Sequence, residues 1–361
     1  MKLWKNRIFK YALGAVILAF ALVGVAFVGL RLAVSFKLTD SAGIIDNQAS
    51  IFWQTGNNSV HTQTDLFTVK NFCVFSTLLE QYPSLNQTLA TFSTKNPLDW
   101  EKSLALLDSN AKNNQNYQEN LAICLDKNKD RRITSTDFTS VAQDNNNPLA
   151  WANTGEWQTF KEAVQKDKIV LARIEKETGI QARLLVSILT AEQLRLFYSD
   201  RALFEKVFSA FKILGSQSQF SWGIMGLKPE TAIAIEENLA STTSPFYLGP
   251  SFEKSLAFST NDIGQERFAR ITDEHNHYYG YLYSALYLKQ ITTEWQKSGF
   301  DISSRPEILA TLYNIGFANS KPKTDPQVGG SELDIAGQKY SFGRLAYEFY
   351  YSGELLTDFP Y

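Results

Sequence analysis

The feature that most constrains this chain is an uncharged apolar run from Tyr11 to Leu30, preceded by Lys2, Lys5, Arg7 and Lys10. A helix rises about 1.5 Å per residue, so a run of about 20 residues can cross a hydrocarbon core of about 30 Å. A cleavable signal peptide would carry a shorter apolar stretch and end at a small-x-small site. Here Arg31 is followed by Leu-Ala-Val-Ser-Phe, which offers no convincing site. The expectation is an uncleaved single-pass anchor. Its basic flank places the N-terminus in the cytoplasm and everything after about residue 37 outside. The alternative, a buried core helix, fits poorly with that flank and with the terminal position.

The remaining chain reads as ordered and mainly α-helical. Apolar residues recur at three- and four-residue spacings from about Leu66 to Leu125, with Phe72, Phe75, Leu78 and Leu79 as the clearest case. Pro83 and Pro97 punctuate this stretch, and Asn113, Asn114 and Asn116 mark a turn. Asp144 to Asn147, followed by Pro148, reads as a polar join, and a strongly helical pattern continues from there to the C-terminus. The expected organisation is an anchor over 1–36, a small helical accessory domain over 37–160 and a larger helical domain over 161–361. Of 361 residues, 35 are basic and 37 acidic, a net charge of −2. No basic stripe stands out, so nucleic acid is not an expected partner. Cys73 and Cys124 either form one bridge in an exported segment or remain two buried thiols.

The segment from Asp126 to Asp137 places oxygen-bearing side chains at positions 1, 3, 5, 9 and 12, with Ile133 at position 8. Calcium takes 6–8 oxygen ligands, and alternate side chains of a tight loop can supply them. The spacing resembles EF-hand and dockerin loops. The ligand set this implies is Asp126, Asn128, Asp130, Arg132 and Asp137, holding a structural Ca2+. Two departures stand against it: Arg131 replaces the glycine of position 6, and Asp137 replaces the usual glutamate of position 12. The alternative is a solvated Asp/Asn turn capping a helix that starts near Thr134.

Chemistry concentrates further on. Gly179 breaks one helix, and a second begins near Gln181. On the second, Leu185, Ile188, Leu189 and Leu196 form an apolar stripe that also carries Glu192. A buried carboxyl is costly unless paired or protonated, and desolvation favours the protonated form. A glutamate held protonated can donate to a glycosidic oxygen. The alternative is a glutamate that reaches solvent or pairs with Arg195.

Downstream, Ser221-Trp222-Gly223-Ile224-Met225-Gly226-Leu227-Lys228-Pro229-Glu230-Thr231-Ala232 resembles the Gly-Leu-Met-Gln-x-x-Pro-x-Thr-Ala signature of lysozyme-like lytic transglycosylases. Leu309-Ala310-Thr311-Leu312-Tyr313-Asn314-Ile315-Gly316 resembles the Ala-Tyr-Asn-x-Gly segment of the same family. With Glu192 as the upstream glutamate, the three matches fall in family order over roughly residues 168–350. Gly226 stands where the family has glutamine, Gln193 where it usually has serine, and the spacing of about thirty residues after Glu192 is longer than usual.

The resemblance implies a lysozyme-like helical domain that cleaves peptidoglycan, in a bacterial cytoplasmic membrane protein whose C-terminal domains are extracytoplasmic. Glu192 would protonate the bond between MurNAc and GlcNAc, then act as base while the 1,6-anhydro ring closes. No cofactor is required for that chemistry. Ser221, Gly223, Met225, Tyr313 and Asn314 are the expected substrate contacts. No clear second carboxylate accompanies Glu192, with Asp200 and Glu205 as weak candidates. His275 and His277 read as a solvated segment, because two residues apart on a helix they point to different faces. The rivals are a non-catalytic wall-binding or scaffolding protein and a lysozyme-type hydrolase.

Overall fold

Helix dominates wherever the computed structural model describes the chain, namely residues 44–46, 67–82, 85, 97–133, 149–198 and 222–361. The expected anchor, the polar join at 144–147, and Asp137, Asp200, Glu205 and Ser221 lie outside the described residues. Among the described residues no helix is long and apolar enough to cross a membrane. The chain divides into two units, 1–42 and 43–361, and all described residues belong to the second.

Helix α1 (Val69–Gln81) starts at Thr68, whose hydroxyl accepts from Asn71 N at 3.0 Å. After α2 (Pro97–Ala111), α3 (Gln115–Asn128) begins in the expected asparagine turn, where Asn114 Oδ1 accepts from Asn116 N and Tyr117 N. Cys73 on α1 and Cys124 on α3 are bridged, with Cα atoms 5.6 Å apart. The structure therefore decides between the two cysteine alternatives in favour of the bond.

The core runs on past residue 160 without a break. A short 3-10 turn, Ala150–Asn153, sets Trp151 edge-on to Trp157 of α4 (Gly155–Gln165) at 4.8 Å between ring centroids. The Trp151 indole donates to Glu348 Oε2 at 3.0 Å, on the last helix, α11 (Phe342–Ser352). Lys102 of α2 donates to the Tyr351 hydroxyl at 3.1 Å on that same helix. The accessory helices and those that follow thus share one core.

Helix α5 (Lys168–Thr178) ends at Gly179, whose φ of +74° is the left-handed conformation that glycine adopts at least cost. Helix α6 (Ala182–Tyr198) follows at once. Leu184, Leu185, Val186, Ile188, Leu189, Ala191 and Leu194 are all buried, so α6 is covered on nearly every side instead of along one stripe. Its polar residues fit because they bond inward: Ser187 donates to Arg183 O at 2.7 Å and Thr190 to Val186 O at 2.8 Å. Truncating one of these leucines would cost about 2–5 kcal/mol.

At the start of α6, fully buried Arg183 donates to the carbonyls of Phe349, Tyr350, Glu354 and Phe359. Carbonyls at the end of α11 carry partial negative charge, which compensates the buried cation. This clasp fixes α6 against the C-terminal segment. Helices α9 (Tyr278–Lys297) and α10 (Pro306–Ile315) pack on α6, and α7 (Pro229–Ala240) and α8 (Ile263–Ile271) pack on α9, with proline opening α7 and α10.

Two small sheets complete the unit. Strand β1 (Ile44–Ile45) pairs antiparallel with β2 (Gly329–Gly330), and β3 (Glu332–Ile335) pairs antiparallel with β4 (Gln338–Ser341). The β3–β4 turn has φ of 53° at Ala336 and 80° at Gly337, the pair of positive values that a tight hairpin requires.

Candidate active site

Glu192 is 3% exposed on α6, buried as its position among leucines implies. Both carboxylate oxygens are taken by Arg195, one turn further on: Arg195 Nε donates to Oε2 at 3.2 Å, and Nη2 meets Oε1. Of the alternatives open from the sequence, the Arg195 pair is the one found.

The glycine motif closes the other side of the carboxyl. Trp222 and Leu227 exchange backbone hydrogen bonds of 2.6 and 3.1 Å, pinching the intervening residues into a tight turn. Gly223 and Gly226 hold that turn with φ of 65° and 61°. A Cβ on Gly226 would overlap the Glu192 carboxyl, so the backbone at 226 approaches the carboxyl as only glycine permits. The glutamine expected at this position in the family would have no room here. Next to Glu192, Gln193 donates to Ile224 O at 2.7 Å and fastens the turn to α6.

Tyr313, on α10, reaches the same turn from below. Its hydroxyl donates to Met225 O at 2.8 Å and lies 2.9 Å from Ser284 Oγ of α9. Burial, with the Glu192 carboxylate adding to it, pushes the Tyr313 phenol well above its ordinary pKa, so it stays a neutral donor. The three segments singled out in the sequence therefore meet around one carboxyl, through Glu192 against Gly226 and Tyr313 against Met225.

The expected substrate contacts distribute unevenly. Gly223 is exposed, whereas Met225 and Tyr313 are buried and their polar atoms face inward. Asn314 Oδ1 accepts from Ser331 N at 2.9 Å and from Ser331 Oγ at 3.1 Å, so its carbonyl fastens the segment after β2. Tyr313 and Asn314 thus hold the walls of the site by internal bonds. Gln193, Arg195 and Ser284 complete the arrangement. For the first two, adjacency to Glu192 on one helix was the available signal, whereas Ser284 carried none.

His277 departs from the solvated reading. Its Nδ1 lies 2.6 Å from Asp167 Oδ2, and the Tyr281 hydroxyl donates to the same oxygen at 2.7 Å. Asp167 caps α5 and His277 precedes α9, so the contact joins two helix starts. In the calcium-type segment, Asp126 and Asn128 lie in the last turn of α3. Asp126 pairs with Lys129 at 3.5 Å, Asn128 donates to Cys124 O at 2.9 Å, and Asp130 and Arg132 are exposed. Among the described residues, which do not include Asp137, no group of three or more His, Cys, Asp or Glu side chains that could hold a metal ion occurs.

No protein-family model matches the chain, and neither does any curated protein or solved structure.

Proposed function

We propose that the protein is a membrane-anchored lytic transglycosylase that cleaves the β-1,4 bond between MurNAc and GlcNAc in peptidoglycan, with Glu192 as its proton donor and acceptor. The observation that carries this reading is the seating of the Glu192 carboxyl directly against Gly226, in a turn that Tyr313 holds from the opposite helix. Three short motifs, distant in sequence, surround one buried carboxyl in the order the family resemblance implies.

In the first step Glu192 gives its proton to the glycosidic oxygen. The bond from the anomeric carbon to that oxygen breaks, its electron pair leaves with the GlcNAc hydroxyl, and the MurNAc N-acetyl oxygen assists at the anomeric carbon. In the second step the Glu192 carboxylate takes the proton of the MurNAc 6-hydroxyl, whose oxygen bonds to the anomeric carbon and closes the 1,6-anhydro ring as the bond from that carbon to the N-acetyl oxygen breaks. One carboxyl serves both steps, so no second carboxylate and no cofactor is called upon. Gln193 and Tyr313 act as positioning residues that keep the turn in place.

The anchor over 1–36 and an extracytoplasmic site belong to the same proposal. The Cys73–Cys124 bond supports it, since disulfides persist in oxidising compartments. Calcium at 126–137 is a separate proposal supported by the oxygen spacing alone, and titration calorimetry with Asp126→Ala and Asp130→Ala tests it.

A second reading has its own support. The pairing of both Glu192 oxygens with Arg195 keeps the carboxyl engaged within the protein, as a protein that binds glycan strands without cleaving them would allow. Digestion of purified peptidoglycan, read by mass spectrometry, separates the readings. Anhydro-muramic ends mean transglycosylase, reducing ends mean a lysozyme-type hydrolase, and intact strands mean a binding protein.

A further inference from the structure

The Glu192–Arg195 pair poses a problem for any proton donor at this place. Both side chains are buried, with 4% and 11% of their surface exposed. Both carboxylate oxygens sit on one guanidinium. The opposite side is closed by Gly226, whose turn Gln193 ties down, so the carboxyl has no room to swing that way. A general acid must come within about 2.6–3.2 Å of the oxygen it protonates. With Arg195 in place, neither oxygen is available for that.

A neutral saccharide could reach Glu192 only by pulling the pair apart and leaving a buried guanidinium unpaired, which is the expensive way to break a buried ion pair. An anionic saccharide meets a different situation. Its carboxylate can take over the planar fork of Arg195, which accepts such groups bidentately, and one ion pair is exchanged for another. The muramic sugar of a glycan strand carries such a group: the lactyl acid, free wherever the stem peptide has been removed.

We infer that Arg195 is a specificity-determining positioning residue, which releases Glu192 by pairing with a free carboxylate on the saccharide, so that the site favours strands bearing unsubstituted lactyl groups. This rests on the reading of Glu192 as proton donor. The lactyl carboxylate binds Arg195, the released Glu192 carboxylate takes up a proton from solvent and turns to the glycosidic oxygen, and the two steps above follow.

The test uses the full chain in detergent and two probes: GlcNAc–MurNAc with a free lactyl carboxylate, and neutral chitobiose. In Glu192→Gln, Arg195 has lost its internal counter-ion, and calorimetry should show the anionic disaccharide bound at least about tenfold more tightly than chitobiose. Glu192→Gln/Arg195→Gln should bind both alike. Glu192→Gln/Arg195→Lys keeps a cation and should retain part of the preference, which separates loss of the anion site from a folding defect. Equal binding of the two probes by Glu192→Gln, or a preference that survives removal of Arg195, overturns the inference. Cleavage by the wild-type chain distinguishes this from failure of the enzymatic reading. Chitin oligosaccharides cleaved as fast as peptide-free glycan strands sink the Arg195 inference alone. No cleavage of either, with the Arg195-dependent binding preference intact, sinks the transglycosylase reading alone.

Discussion

Gly226 lies so close to the Glu192 carboxyl that a single methyl group on residue 226 would overlap it. The contact joins a helix and a turn about thirty residues apart in sequence, and it leaves position 226 with two independent reasons to be glycine. One is space, and the other is a φ of 61°.

Gly226→Ala is therefore expected to destabilise the fold by about 1–3 kcal/mol from backbone strain, with the overlap adding to it. Chemical denaturation measures the loss. In a double-mutant cycle, Glu192→Ala should relieve part of the damage, because it removes the atoms the new methyl meets. Additive effects of the two substitutions would contradict the packing described.

Tyr313→Phe removes the hydroxyl that donates to Met225 O at 2.8 Å. The cost should be about 1–3 kcal/mol, since a buried carbonyl loses its partner. Because the phenol faces inward, kcat should fall while KM for glycan changes little. A large rise in KM with unchanged stability would mean that Tyr313 touches the sugar instead.

Helices were the legible part of this molecule. The spacing of Phe75, Leu78 and Leu79, the turn at Asn114 and the break at Gly179 all mark elements that exist. The surroundings of α6 were harder to read, because Ser187 and Thr190 look like a solvent face until their hydroxyls are seen bonded to the preceding turn. The β3–β4 hairpin had a signal in the alternation of buried Leu333 and Ile335, but Ala336 is an unusual turn residue. Strands β1 and β2, two residues each, carry no periodicity at all. At the site, Glu192 beside Arg195 follows from helical spacing. The inward bond of Tyr313 depends on a residue 88 positions away, and no local pattern encodes it.

Reduction of the Cys73–Cys124 bond should loosen α1 from α3. Removing a native disulfide costs about 2–5 kcal/mol. Thermal unfolding with and without reductant measures it, and Cys73→Ser/Cys124→Ser should match the reduced wild type. An unchanged midpoint would show that packing alone holds these helices.

Glu266 provides a pH test away from the site. Burial works to raise its carboxyl, but hydrogen bonds from Ser259 and Thr260 outweigh this and hold it down to about 2. A folded-state value below the unfolded 4.5 means stability present above about 4.5 and lost as pH falls through about 2. Urea unfolding of wild type and Glu266→Gln should differ at pH 7, and the difference should shrink steadily on acidification below about 4.5. A gap that stays constant with pH would assign the loss to shape and not to charge.

The most direct test of the central claim is the rate at which Glu192→Gln cleaves purified peptidoglycan. The amide is nearly isosteric with the acid and transfers no proton, and the variant should remain folded by circular dichroism. Its cleavage rate should fall at least about a hundredfold, because general acid catalysis commonly contributes about 10²–10⁴-fold. A folded Glu192→Gln that cleaves the wall as fast as wild type would contradict the assignment of Glu192 as the proton donor.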